Sequence, residues 1–244
     1  IDGDGGNDYL DGGSHTSGDT VSFESVTSVN GISVNIGNSA VTINGTSYTA
    51  SSAIRNGFTS TVVNFENIQG SKNADILIGS DESNIIKAGD GNDTIYGVAG
   101  NNYLYGDSGN DTIFSGTGDD FIDGGEDSDT VHYGAATSGI KVDLSNTSSQ
   151  NISGGMGKDT IKNIENAIGS NYGDTIKGNN SANTLIGGTG DDTFIASRGK
   201  DTIYGGTLDN SLVSGEINTI SYEDEEENVI INLQEGKSGL NTNN

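Results

Sequence analysis

The chain has 244 residues, 35 Asp plus Glu against 10 Lys plus Arg, and a formal net charge of −25. So few basic residues, gathered in no patch, exclude nucleic acid as a partner. The lack of Cys excludes disulfides, no apolar run reaches the length of a membrane span, and 30% hydrophobic residues leave little for an ordinary core.

Residues 1–20 read as the end of a repeat block, closing in Gly6-Asn7-Asp8-Tyr9-Leu10. Ile1 falls in mid-repeat and Asn244 in mid-pattern, so we expect a piece of a longer protein. Residues 21–71 form a spacer that opens at Asp19-Thr20-Val21-Ser22-Phe23 and continues with the alternating Ile32, Val34 and Ile36. That alternation predicts half-buried strand. The spacer closes in Asn64-Phe65-Glu66-Asn67-Ile68-Gln69-Gly70-Ser71.

Residues 72–131 are the most regular part of the chain. Asp75, Asn84, Asp93, Asn102, Asp111, Asp120 and Asp129 follow one another every nine positions without insertion. Two residues after each stands an aliphatic: Leu77, Ile86, Ile95, Leu104, Ile113, Ile122 and Val131. Nine residues suit one turn and one short strand. The glycines allow the turn, and the aliphatic points inward from the strand. One nonad cannot bury its single aliphatic, but two make a coil of 18 residues, and stacked coils bury a ladder between two parallel sheets. The absence of Pro fits continuous ladders, which proline would interrupt.

A second spacer, 132–170, repeats the plan of the first. It opens on Val131-His132-Tyr133, alternates through Ile140, Val142 and Leu144, and closes in Asn163-Ile164-Glu165-Asn166-Ala167-Ile168-Gly169-Ser170. A second block, 171–207, carries Asp174, Asn183, Asp192 and Asp201 at the nine-residue position. Residues 208–244 read as the start of a third unit, with Val229, Ile231 and Leu233 alternating. Its acidic run, 223–227, reads as a solvated loop, with an extra cation site as the alternative.

The 18-residue coil puts every second nonad on one edge. Asp75, Asp93, Asp111 and Asp129 should stack about 5 Å apart. Each close pair of bare carboxylates costs about 1 kcal/mol even in water. A hard cation with oxygen ligands reverses that repulsion, and Ca²⁺ takes six to eight such ligands. The opposite edge, Asn84, Asn102 and Asp120, offers oxygen with less charge. It is expected to bind more weakly, with Asp119 and Asp81 nearby as compensation. In the second block, Asp174 and Asp192 should share one edge, and Asn183 and Asp201 the other.

The nonad G-G-x-G-x-D-x-U-x, with U a large aliphatic, resembles the repeats-in-toxin (RTX) family over nearly the whole chain. The resemblance implies an all-β fold: parallel β-roll or β-solenoid blocks joined by longer β-strand spacers. It also implies several bound Ca²⁺ ions, each held between stacked turns by aspartates and glycine-region carbonyls. The matching carboxylates are Asp8, Asp75, Asp93, Asp111, Asp120, Asp129, Asp174, Asp192 and Asp201. The matching turn glycines are Gly89, Gly91, Gly106, Gly109, Gly116, Gly118, Gly124, Gly188 and Gly190.

Other motifs carry less. Gly106-Asp107-Ser108-Gly109 spells a serine-protease tetrapeptide, but it lies in phase with its neighbouring nonads and has no positioned base. Gly154-Gly155-Met156-Gly157-Lys158-Asp159 fails the phosphate-loop spacing and reads as a degenerate calcium turn, with Asp159 a marginal ligand. His15 and His132 have no zinc spacing and are expected at the surface. Asp2-Gly3-Asp4 lacks the acid that would close an EF-hand loop.

No catalytic constellation appears, so we expect no enzyme. The resemblance implies a secreted or cell-surface location with type I export. It points to a calcium-folded structural segment of a bacterial adhesin or surface-layer protein, whose partners would be calcium, a second copy, or a cell-surface or glycan ligand. The rival is the C-terminal calcium-folding and secretion region of an RTX protease, lipase or cytolysin. A third reading, a carbohydrate module, would need an exposed platform built from Tyr96, Tyr103 and Tyr105.

Overall fold

The computed structural model describes residues 6–14, 18–26, 30–43, 45–195, 197–207 and 216–221. Asp2-Gly3-Asp4, His15, the 223–227 run and the 229–233 alternation lie outside the described residues. Within them the chain forms strands and turns and no helix.

The nine-residue period becomes two facing sheets. Ile85–Asp90, Tyr103–Ser108 and Phe121–Glu126 lie side by side and parallel, aligning Ile86, Leu104 and Ile122. Ile76–Ile78, Thr94–Tyr96, Thr112–Phe114 and Thr130–His132 form the other wall, aligning Leu77, Ile95, Ile113 and Val131. All seven aligned aliphatics are fully buried. Each contributes roughly 1.5–3 kcal/mol, and one per nine residues is a thin core. Close approach of the turns is what keeps it dry. Gly109 has φ +122°, and a Cβ added there would lie 1.6 Å from the Gly91 carbonyl oxygen of the preceding coil. Only glycine fits such a contact.

The spacers are part of the same stack. Asn67–Gln69 pairs in parallel with both Thr20–Ser22 and Ile85–Asp90, and Ser33–Asn35 pairs with Ile76–Ile78. In the second spacer, Lys158–Lys162 lies against Phe121–Glu126, and Asn166–Ile168 sits between Thr130–His132 and Thr184–Ile186. One inward column therefore runs through Val34, Leu77, Ile95, Ile113, Val131, Ala167, Leu185 and Ile203. Spacer strands are two to six residues long, against three to six in the blocks. What distinguishes the spacers is path: the antiparallel pairs among the described residues all fall within them. The aromatic that opens each spacer is buried in both units, Phe23 in the first and Tyr133 in the second.

Candidate metal sites along the two edges

Stacking brings the motif residues together at the start of each strand. The backbone N–H of Asp75 donates to Asp93 Oδ1 at 2.7 Å, that of Asp93 to Asp111 Oδ1 at 2.7 Å, and that of Asp111 to Asp129 Oδ1 at 2.8 Å. Each bond spans 18 residues, the coil length read from the sequence. The four aspartates are almost completely buried. Oδ1 is thus used in clamping coil to coil. The Oδ2 atoms of Asp93, Asp111 and Asp129 are buried without any hydrogen-bond partner.

A buried carboxylate oxygen with no donor is costly. Burial, reinforced by the neighbouring acids, pushes the Asp93 carboxyl up to about 8, Asp129 up to about 7 and Asp111 up to about 6. The turns show what the oxygens face. A Cβ placed on Gly106 would lie 2.2 Å from Asp111 Oδ2 and 2.4 Å from the carbonyl oxygen of Gly124 in the next coil. Carboxylate and carbonyl oxygens thus flank one small space that glycine keeps open. Among the described residues no three acidic or imidazole side chains converge on one point. An ion here would take few carboxylates and several carbonyls. That all-oxygen set suits a hard cation such as Ca²⁺, whose charge would offset the crowded carboxylates.

The opposite edge keeps the same register with different chemistry. The N–H of Asn84 donates to Asn102 Oδ1, that of Asn102 to Asp120 Oδ1, and that of Asp120 to Asp159 Oδ1. Here the second side-chain atom is an NH₂. Asn102 Nδ2 donates to the carbonyls of Gly97, Ala99 and Gly100 within its own turn. Asn84 Nδ2 reaches the Glu66 carbonyl at 2.7 Å, and Asn183 Nδ2 the Glu165 carbonyl at 2.7 Å. The amide therefore satisfies carbonyls that a cation would otherwise need to satisfy. Beside this edge, Asp119 Oδ1 accepts the Lys158 N–H, and Asp81 is exposed. Charge returns at Asp120, whose Oδ2 is buried without a partner.

Asp75 and Asp174 stand apart from the other candidate ligands. Asp75 accepts from Ser71 N–H, Ser71 Oγ and the Ile32 N–H of the spacer. Asp174 accepts the equivalent bonds from Ser170 N–H, Ser170 Oγ and Ile140 N–H. The extra bonds come from the Ser that replaces a turn glycine, and each Oδ2 accepts only one of them. A Cβ on Gly169 would still lie 2.2 Å from Asp174 Oδ2 and 2.4 Å from the Gly187 carbonyl oxygen, the same cradle as at Gly106. Asp192 behaves like Asp93: Oδ1 accepts the Asp174 N–H, Oδ2 is a buried orphan, and burial pushes its carboxyl up to about 6. Asp201 accepts from Asn183 N–H and Ser197 Oγ. Asp8 has a buried orphan Oδ2 beside the first spacer, where its N–H donates to Ser60 Oγ. Gly89, Gly91, Gly116, Gly118, Gly188 and Gly190 all take positive φ in the turns, like Gly109, whereas Gly106 and Gly124 do not.

Asp159 is more central than its degenerate turn implied. It is fully buried, extends the amide edge beyond Asp120, and accepts the Tyr133 O–H at 3.0 Å. A second polar ladder had no motif to announce it. Asn92 Oδ1 accepts the Asn110 N–H, and Asn110 Oδ1 the Ser128 N–H. On the other side Asn101 Oδ1 accepts the Asp119 N–H. These residues precede the motif position and join adjacent coils without charge.

The tyrosine platform is divided between the two walls. Tyr96 stacks on Phe114 with ring centroids 4.3 Å apart, and Phe114 on His132 at 4.4 Å. Tyr103 and Tyr105 lie on the opposite sheet against Phe121. His132 is therefore half-buried in a ring stack, not free at the surface, and burial lowers its imidazole to about 4. Ser108 ends a roll strand, paired with Asp90 and Glu126 of its neighbours.

Register, buried aspartate columns and open glycine turns define a parallel β-roll built to hold hard cations between its coils. The family model for the RTX calcium-binding nonapeptide repeat matches in four copies, over residues 69–104, 105–136, 168–203 and 177–212. Both rolls are RTX repeats, and the cofactor of such repeats is Ca²⁺. No curated protein matches the chain.

Proposed function

We propose that this chain is a calcium-stapled structural segment of a large secreted bacterial surface protein, of the adhesin or surface-layer kind, and that it has no catalytic role. The observation that carries this reading is the unbroken inward column from Val34 to Ile203, which passes through a spacer without a change of axis partner. Units that stack end to end in this way can be repeated to any length, as a surface stalk requires. A core packed with its own aliphatics supports a supporting role over a catalytic one. Export would leave the chain unfolded where calcium is scarce and fold it where calcium is plentiful. Nothing in the described helix-free fold offers a membrane-spanning helix.

The test is where the chain resides on its producing cells. Antibody against residues 72–131 should label intact cells in calcium, and chelator should release or unfold the epitope. Recovery only in the medium, joined to a protease, lipase or cytolytic activity, would instead assign the segment to the secretion region of an enzyme or toxin.

A further inference from the structure

The aspartate column does not end with the nonads. The Asp129 N–H donates to Glu165 Oε2 at 3.0 Å, as the Asp111 N–H donates to Asp129 Oδ1. Glu165 belongs to the spacer, yet it occupies the next aspartate's place. The carbonyl partner is replaced in the same manner. A Cβ on Gly124 would meet the Asn163 carbonyl oxygen at 2.1 Å and Asp129 Oδ2 at 2.5 Å. On Gly106 the corresponding atoms are the Gly124 carbonyl and Asp111 Oδ2. Asn163 reaches this position through a left-handed backbone, φ +49°. Asp129 is fully buried and its Oδ2 has no partner, so an unspent carboxylate oxygen points into a space bordered by spacer oxygen.

The arrangement occurs twice. In the first unit the Asp19 N–H donates to Glu66 Oε2 at 2.7 Å, and Asp19 Oδ2 is a buried orphan. A Cβ on Gly12 would meet the Asn64 carbonyl oxygen at 2.0 Å, and Asn64 has φ +57°. Two separate junctions thus keep the same acid, the same glutamate and the same left-handed asparagine.

We propose that Asp129, Glu165 and the Asn163 carbonyl form a divalent-cation site at the junction between roll and spacer, and that Asp19, Glu66 and the Asn64 carbonyl form its twin. The spacer glutamates are then ligands that carry the ion column across the break in the nonad pattern. This rests on the calcium-binding reading of the rolls. It adds that spacers are fastened to the stack by ions as well as by strand pairing.

The experiment counts bound calcium by native mass spectrometry, with a calcium titration followed by circular dichroism, on the full chain and on Glu165→Gln, Glu66→Gln and the double variant. Glutamine keeps an oxygen for the aspartate N–H and removes the charge. Each single variant should hold one ion fewer and the double variant two fewer, while Asp111→Asn loses ions independently. A variant that folds only at several-fold higher calcium reports the same lost site. The proposal is overturned if both glutamine variants keep the full ion count and titration midpoint, or if they fail to fold at every calcium concentration. Should the unaltered chain bind no calcium, the failure lies in the rolls themselves, and the junction sites fall with them.

Discussion

The two edges of the first roll share a backbone, a register and the same 18-residue N–H to side-chain bond, yet they need different things from solution. On the aspartate edge the second oxygens of Asp93, Asp111 and Asp129 are buried with nothing to accept. On the amide edge Asn102 turns an NH₂ onto the carbonyls of its own turn. One edge asks for a cation, and the other carries a neutral substitute for it. Neutral bonds of that kind contribute about 0.5–1.5 kcal/mol each, and they require no ion. Replacing a carboxylate oxygen by NH₂ changes what the turn requires without moving the chain.

The largest effect expected from this contrast comes from truncating the charged edge. Asp111→Ala should raise the calcium midpoint by tenfold or more, which corresponds to about 1.4 kcal/mol of binding. Asn102→Ala should leave the ion count alone and cost about 1–3 kcal/mol of stability, because buried carbonyls lose their donor. Titration calorimetry and denaturant melts separate the two, and equal losses of calcium affinity would abolish the distinction between the edges.

A sharper version converts one edge into the other. Asn102→Asp places a carboxylate between Asn84 and Asp120, beside the buried orphan oxygen of Asp120. The variant should take up at least one additional calcium ion and depend more steeply on calcium for folding than the parent. An unchanged ion count would show that the turn on that side cannot form a cage whatever its charge.

Smaller in size is the response to pH. In the ion-free fold the buried carboxyls sit at about 8 for Asp93, 7 for Asp129 and 6 for Asp111, against about 3.9 for an unfolded aspartate. The folded chain therefore holds the extra protons. The contribution of these carboxyls to ion-free stability is complete below about pH 4 and is lost as pH rises through about 6 to 8. Calcium must displace those protons, so its affinity should climb over the same window. Calcium titrations at pH 6 and pH 8 check the sign: the midpoint should lie at lower calcium at pH 8, and the reverse order would mean the carboxyls are not shifted upward.

Much of this was legible in the sequence, because a strict period converts directly into register. The separation of Asp93 and Asp111 by 18 residues places them on one edge, and the bond between them follows. The hydrogen bonding of Asp75 and Asp174 was harder to read. Each carries the motif, but Ser71 and Ser170 also donate to it, and the Ile32 and Ile140 N–H groups arrive from more than thirty residues away. Glu66 and Glu165 left a fainter signal: each stands two residues before an inward residue, Ile68 and Ala167. They were hidden because the spacers break the nine-residue count. The Tyr96, Phe114 and His132 stack was hidden for a different reason. Its members recur every 18 residues on the outward face, where an aromatic period competes with ordinary surface variation.

Far-ultraviolet circular dichroism of the whole chain, recorded in chelator and then through a calcium titration, is the most direct test that cations complete this fold. The β-signal should be weak in chelator and rise cooperatively as calcium reaches about 10⁻⁴ to 10⁻³ M, the range of extracellular sites. Millimolar magnesium, which gives up its waters reluctantly and demands a tighter octahedron, should leave the signal low until calcium is added. A spectrum already complete in excess chelator, or restored equally by magnesium, would contradict a roll held by specific calcium cages.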